Sequence, residues 1–324
     1  MPGFLRASSP ASCRFAGLPL QATTGSPALY PQKRGTKTTM KNTIRRRSLC
    51  MAMFSACAMP RLAWSQSGQP LEIGVLPNIS ARVLMGQYLP MRDYLTREMQ
   101  RPVQVSTAPS WNAFHQRTLA LDYDVIVTAA NLARVAQLDR GYVPLLSYAP
   151  AIRGLVIFSS ARPIKSISEL RGRALALSNP QSLVTLRGMQ WLAENGLQRD
   201  IDFSTVNTPT DDSVGNVVVR GDAIAAILSG GEYRAIPEAV MARLQVLTTF
   251  AEVPGFVVLA SPRLPAAEAR AVKEHLLTFS AGSAEGKAFF AASGFTGMRE
   301  LPPGLMESMD AYLGATRKVM AAPG

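Results

Sequence analysis

From residue 71 onward, short apolar runs rich in β-branched residues alternate with longer stretches in which apolar residues recur every three or four positions. The first kind reads as strands and the second as amphipathic helices. The pattern predicts strands at 71–76 (LEIGVL), 103–106, 124–127, 154–159 (GLVIFS), 174–177, 223–228, 245–249 and 256–260. Helices are expected at 80–99, where Pro90 should kink the run, and at 110–121, 131–139, 181–195, 212–220, 236–244, 265–280, 284–293 and 303–313. Strand and helix alternating at this spacing predict an α/β fold of mostly parallel sheets flanked by helices on both faces. No internal repeat or low-complexity stretch interrupts it.

Charge changes the picture only once it is located. The chain has 34 Lys and Arg against 22 Asp and Glu, a formal net charge of +12. Ten of the basic residues (Arg6, Arg14, Lys33, Arg34, Lys37, Lys41, Arg45, Arg46, Arg47 and Arg61) fall in residues 1–65, which hold no acidic residue. The remaining body is therefore nearly neutral, with 24 basic and 22 acidic side chains, so the charge gives no argument for nucleic acid as a partner. All three cysteines (Cys13, Cys50, Cys57) lie in the same N-terminal stretch. The body thus has no disulfide framework, thiolate nucleophile or cysteine metal site.

The N-terminal stretch has its own logic. From Met40 a basic segment (Lys41, Arg45–Arg47) precedes an apolar run of about a dozen residues and the small-residue spacing Ala63-Trp64-Ser65. These are the parts of a secretory signal peptide over residues 40–65, and the run is too short to cross a bilayer. Residues 1–39 are then expected to be an extension upstream of the native start. Phe54-Ser55-Ala56-Cys57 approaches a lipobox, which makes lipid anchoring at Cys57 the lesser alternative to a freely periplasmic body.

Parallel sheets bind ligands where strand ends turn into helix starts. Four turns carry suitable chemistry: Pro77-Asn78-Ile79-Ser80, Thr128-Ala129-Ala130-Asn131, Ser178-Asn179-Pro180-Gln181-Ser182, and Thr208-Pro209-Thr210-Asp211-Asp212. Each sets hydroxyl or amide groups beside unpaired backbone N–H donors at the positive end of a helix dipole, a cradle for an anion. The same residues also serve as ordinary helix N-caps. The two histidines, His115 and His275, fall in amphipathic helices without metal-ligand spacing, so neither a metal nor a cofactor is expected. No Gly-Lys-Ser/Thr phosphate loop or Gly-x-Ser-x-Gly elbow occurs in the body, and no catalytic residue is assigned.

Taken in order, several segments resemble the phosphate/phosphite/phosphonate substrate-binding proteins of ABC transporters, a branch of the type 2 periplasmic-binding-protein fold. They are LEIGVLPNISARVL at the start, Thr107-Ala108-Pro109-Ser110-Trp111, Asp122-Tyr123-Asp124-Val125-Ile126, Ile164-Lys165-Ser166-Ile167-Ser168-Glu169-Leu170-Arg171-Gly172, Asn179-Pro180-Gln181-Ser182 and Val253-Pro254-Gly255. The resemblance implies a two-lobed fold. Residues 66–149 and 254–324 would form one lobe and 150–253 the other, with two hinge crossovers near 149–153 and 251–254. It further implies a monomeric, non-enzymatic carrier that captures a small oxyanion between the lobes and presents it to an ABC permease in the inner membrane.

On this reading the ligand contacts are Asn78, Ser80, Trp111, Thr128, Asn131, Ser182, Thr185 and Thr210. Trp111 stands where the family has an aromatic contact, Thr128 where it has another, and Thr210 where it has a histidine. Its Ser-Thr-Ser run becomes Ser182-Leu183-Val184, and Ile224 and Phe256 stand where acidic partners for an amino substituent would be. These departures favour a larger oxyanion, or one with an apolar substituent, over an amine-bearing phosphonate. The alternatives are a sensor module feeding a membrane signalling protein, or a binder of a non-phosphorus organic anion.

Overall fold

The structure, a computed structural model, describes residues 69–208 and 213–321. The expected extension, signal segment, Cys57 and Thr210 lie outside those residues. The chain opens with β1 (Leu71–Val75), α1 (Ala81–Glu98), β2 (Val103–Ser106), α2 (Trp111–Leu119), β3 (Val125–Thr128), α3 (Ala130–Arg140) and β4 (Val143–Ala149). A second group follows: β5 (Ile152–Ser159), β6 (Ala174–Leu177), α4 (Leu183–Glu194), β7 (Ser204–Asn207), α5 (Val214–Arg220), β8 (Ala225–Ser229), α6 (Gly230–Ala235), α7 (Glu238–Met241) and β9 (Leu244–Val253). The chain then returns through β10 (Val257–Ala260), α8 (Ala266–Gly282), α9 (Ala284–Ser293), β11 (Gly297–Arg299), α10 (Leu305–Ser308) and α11 (Leu313–Ala321).

These strands make a six-stranded sheet in the order β11-β4-β10-β3-β1-β2 and a five-stranded sheet in the order β7-β6-β8-β5-β9. The chain passes from the first to the second between β4 and β5, and back between β9 and β10. The two strands that enter a sheet by these crossovers are set against their neighbours, as is the short edge strand β11 against β4. β10 runs antiparallel between β3 and β4, and β5 runs antiparallel between β8 and β9. The expectation of mostly parallel strands therefore describes strand direction, while the pairing is mixed. An entering strand must start at the edge where the other sheet's strand ended, so it runs back along its neighbours.

Period-two burial builds the core in layers. Val125 and Val127 of β3 face one cluster with Leu71, Ile73, Leu84 and Phe279, while Ile126 faces another. In the second sheet Val156 and Phe158 join the cluster that contains Ile126, and Leu155 and Ile157 turn to α5 and α6. One continuous apolar layer thus runs between the halves, and both faces of each sheet are covered.

Several expected elements differ. The helix expected at 236–244 is reduced to a single turn, α7 at Glu238–Met241. A Ser229-x-x-Glu232 capping box starts α6 despite two glycines, Pro237 at an N-cap begins the short α7, and Leu244 opens the long β9. β4 was hidden in the sequence by Pro144, which has no N–H to give. It is tolerated where the β10 register shifts between Val258 and Leu259. β7 (STVN) has only one apolar residue and β11 spans only three residues, so neither reads as an apolar run. α1 continues through Pro90 as one helix. Among the described residues no helix is long and apolar enough to cross a membrane.

Two glycines test this packing in opposite directions. At the second crossover, Tyr148 N donates to the Phe256 carbonyl at 2.7 Å, and a Cβ on Gly255 would stand 2.5 Å from the Tyr148 carbonyl oxygen. Gly255→Ala should lower stability by about 1–3 kcal/mol in urea unfolding. Gly86 is exposed on α1, and a methyl group added there would meet nothing within 4 Å. Gly86→Ala should therefore give the reverse, a gain of about 0.5–1 kcal/mol.

Candidate functional site

The turns after β1, β3, β6 and β8 open onto one cavity of about 540 Å³, lined from both halves of the chain. In each sheet the two contributing strands are neighbours and parallel, β1 with β3 and β6 with β8. Adjacent parallel strands end at the same edge, so their following helices start side by side and point their amide ends at the same space.

Capping decides how many of those amides remain open. The N-cap of α3 is Ala129, which has no acceptor, and Ser80 makes no side-chain cap bond to α1. The first-turn donors of both helices are left without a capping side chain. In α4, Ser182 Oγ accepts from Thr185 N at 3.1 Å, which leaves the N–H groups of Leu183 and Val184 without an acceptor among the described residues. A buried or half-buried amide of this kind needs a partner, and at a helix start the dipole favours an anionic one.

Side chains complete the lining. Tyr88 of α1 and Tyr148 of β4 are buried with hydroxyls 3.3 Å apart. Burial pushes the Tyr88 phenol up to about 12, and raises Tyr148 well above its ordinary value. Both are therefore neutral donors at any physiological pH. One donates to the other, and the acceptor's own O–H stays available. Tyr148, Phe256 and Phe295 form an aromatic wall with ring centroids 5.2–5.9 Å apart. The charged residues of the lining are Arg153, Glu232 and Arg234. Glu232 accepts from Ser178 Oγ at 2.8 Å and from Ser229 N, so both of its oxygens are engaged. Across the cleft, Gln181 Nε2 donates to Asn112 Oδ1 at 2.8 Å, tying the start of α4 to α2.

Of the contacts expected from sequence, the structure brings Asn78, Trp111 and Ser182 into the lining. The indole N–H of Trp111 donates to the Pro77 carbonyl at 3.1 Å, so Trp111 presents a wall and fixes the β1–α1 turn rather than offering a donor. Ser80, Thr128, Asn131 and Thr185 do not line the cavity. Ser80 is exposed beside it. Thr128 is buried at the end of β3, its hydroxyl without a partner among the described residues. Asn131 points away, its Nδ2 donating to Thr316 Oγ1 of α11 at 3.1 Å, and Thr185 pairs with Ser182 inside the α4 cap. Thr210 lies outside the described residues. Sequence reading missed Tyr88, Tyr148 and Arg234. Tyr88 shares the helical spacing of Leu84, Met91 and Leu95, which marks it as core, and no local signal tells that its hydroxyl reaches a cavity. His115 is buried in α2, and desolvation lowers its pKa against the opposing pull of Asp139.

A family model described as an ABC transporter, phosphonate, periplasmic substrate-binding protein matches residues 73–302. Among solved structures, a Xanthomonas citri protein, XAC2383, known bound to chloride ion and also to ATP, is 20% identical. In its chloride form the match has a TM-score of 0.67 and covers 77% of this chain and 99% of that one. PhnD1 from Prochlorococcus marinus, in complex with methylphosphonate, is 13% identical at TM-score 0.68, covering 77% and 97%. A binding-protein component of a phosphonate ABC transporter from Pseudomonas aeruginosa is 15% identical at TM-score 0.65, covering 79% and 90%. At these identities the likeness establishes the shared two-sheet fold of type 2 periplasmic binding proteins.

The tyrosine pair gives the site a pH signature. A raised phenol pKa stabilises the folded state below the unfolded value near 10 and loses that contribution as pH rises toward the folded value. The stability difference between wild type and Tyr88→Phe should move in favour of the variant by roughly 1.4 kcal/mol per pH unit between pH 10 and 12. Urea unfolding at stepped pH measures it, and a constant difference would mean that Tyr88 titrates normally.

Proposed function

Because the chain belongs to the family of periplasmic phosphonate-binding proteins of ABC transporters, we propose that it captures a small phosphorus oxyanion in this cavity and presents it to a membrane permease. The observation that carries the reading is the convergence of open helix starts from both halves on a single space. α1 and α3 supply uncapped turns from one side and α4 supplies the Leu183 and Val184 amides from the other, with no free carboxylate facing them among the described residues. Such donors match a tetrahedral oxyanion and give roughly 1.5–3 kcal/mol for each hydrogen bond to charge. Asn78 and the spare hydroxyl of the Tyr88–Tyr148 pair add neutral donors. The ligands of the structural neighbours, methylphosphonate in one case and ATP in another, share a phosphorus oxyanion and differ greatly in size. The roomy, partly aromatic cavity is compatible with either extreme.

The two halves would act as lobes, residues 66–149 with 254–324 and residues 150–253, closing about the crossovers at 150–151 and 254–256. The Gln181–Asn112 bond spans the cleft as such a closing contact would. Family membership puts the working compartment outside the cytoplasm, and export through the signal segment at 40–65, followed by action as a monomer, fits that role. A binding role accords with the family's description as a substrate-binding protein, and fixed amides with neutral hydroxyls suit it.

Ala129→Asp tests the anion site directly. It gives α3 the cap it lacks, which should hold or raise the melting temperature, while its carboxylate occupies the amides and repels an anion. Isothermal titration with methylphosphonate and with inorganic phosphate should show binding by the wild type and at least a tenfold loss in the variant. Silence of the wild type toward both, or full affinity in the variant, would overturn the assignment.

A further inference from the structure

The amide donors account for one end of the cavity and leave the other unexplained. Arg153, at the start of β5, and Arg234, on α6, both line it, and neither guanidinium makes an ion pair or hydrogen bond among the described residues. Both flank Gly230, where a Cβ would sit 3.8 Å from Arg153 Cβ and from Arg234 Nη1. Arg234 also reaches across to the first half. A Cβ on Gly294, which ends α9 in the left-handed conformation, would collide with its guanidinium. There the carbonyl end of α9 attracts a cation. Gly294 thus leaves room for a guanidinium that a side chain would displace, while Gly230 and Gly231 lie in ordinary contact with it.

Geometry separates this end from the amides. Leu177, ahead of the α4 turn, and Val156, on the strand that carries Arg153, flank the same residue, Ile227. Their strands are therefore two spacings apart, roughly 10 Å. The cavity, at about 540 Å³, has room well beyond one tetrahedral group. The lining between is apolar, including Ile79, Ile152, Leu183 and Phe256. An ammonium group is unwelcome, because the single carboxylate of the described lining, Glu232, is held by Ser178 and Ser229 and two guanidinium groups stand nearby.

Resting on the phosphonate reading of the cleft, we infer that the preferred ligand carries two anionic groups: a phosphonate head held by the helix amides and a carboxylate on a short aliphatic spacer held by Arg153 and Arg234. The fork of a guanidinium suits a carboxylate, and two of them set its plane.

The test is isothermal titration of the purified protein with 3-phosphonopropionate, n-propylphosphonate and 2-aminoethylphosphonate, which share the head and differ at the tail. The carboxylate should bind at least tenfold more tightly than the propyl compound, and the amine should be weakest. In the Arg153→Gln/Arg234→Gln protein, with a melting curve matching wild type, the carboxylate's advantage over the propyl compound should fall to within about twofold. Equal or tighter binding of the propyl or amino compound by the wild type, or an advantage that survives both substitutions, overturns the second anionic subsite and leaves the phosphonate head in place. If none of the three binds, the phosphonate reading itself fails and the subsite falls with it.

Discussion

The opening turn of an α-helix exposes amide groups that nothing within the helix can satisfy, and this chain gathers several such turns around one space. The arrangement follows from sheet geometry. Two adjacent parallel strands in each sheet must release their helices at the same edge, so β1 and β3 aim α1 and α3 at the cavity, and β6 and β8 do the same for α4 and α6. What distinguishes a binding site from a set of well-capped helices is how little the caps provide. Ala129 cannot cap at all, Ser80 does not, and Ser182 satisfies only Thr185. On the proposed reading, an anion would supply the acceptors that these side chains withhold.

The crossovers explain how two such edges come to face each other. Each sheet accepts one strand from the other half, β5 in one direction and β10 in the other, and each enters antiparallel to its neighbours. The strands linking the halves therefore pass beside the ligand space. Pro150, Ala151, Pro254 and Gly255 line the cavity for that reason. The close approach of Gly255 to the Tyr148 carbonyl joins the crossover to the same strand that carries the buried tyrosine pair. Packing and recognition share residues here, and a change at the crossover would be felt in both.

The donors the lining offers are amides, neutral phenols and guanidinium groups. Positive charge enters the described lining only through Arg153 and Arg234, carried by β5 and α6.

Much of this was legible in the sequence, and what was legible has a common origin. Strand and helix positions come from periodicity within a dozen residues, so β2, β6 and α9 could be read with their bounds, and the turns at 77–80, 128–131 and 178–182 could be marked as helix starts. The N-terminal concentration of basic residues and cysteines needed only counting. The direction of Asn131 toward Thr316, the occupation of the Trp111 N–H by Pro77, and the pairing of Tyr88 with Tyr148 join residues 34 to 185 positions apart. A local pattern assigns a residue to a helix face or a strand edge, and only the meeting of distant elements decides whether that face lies against core, cap or ligand space. That is why Arg234 and the tyrosines emerged only from the tertiary structure, while the fold that holds them was already written in the spacing of apolar side chains.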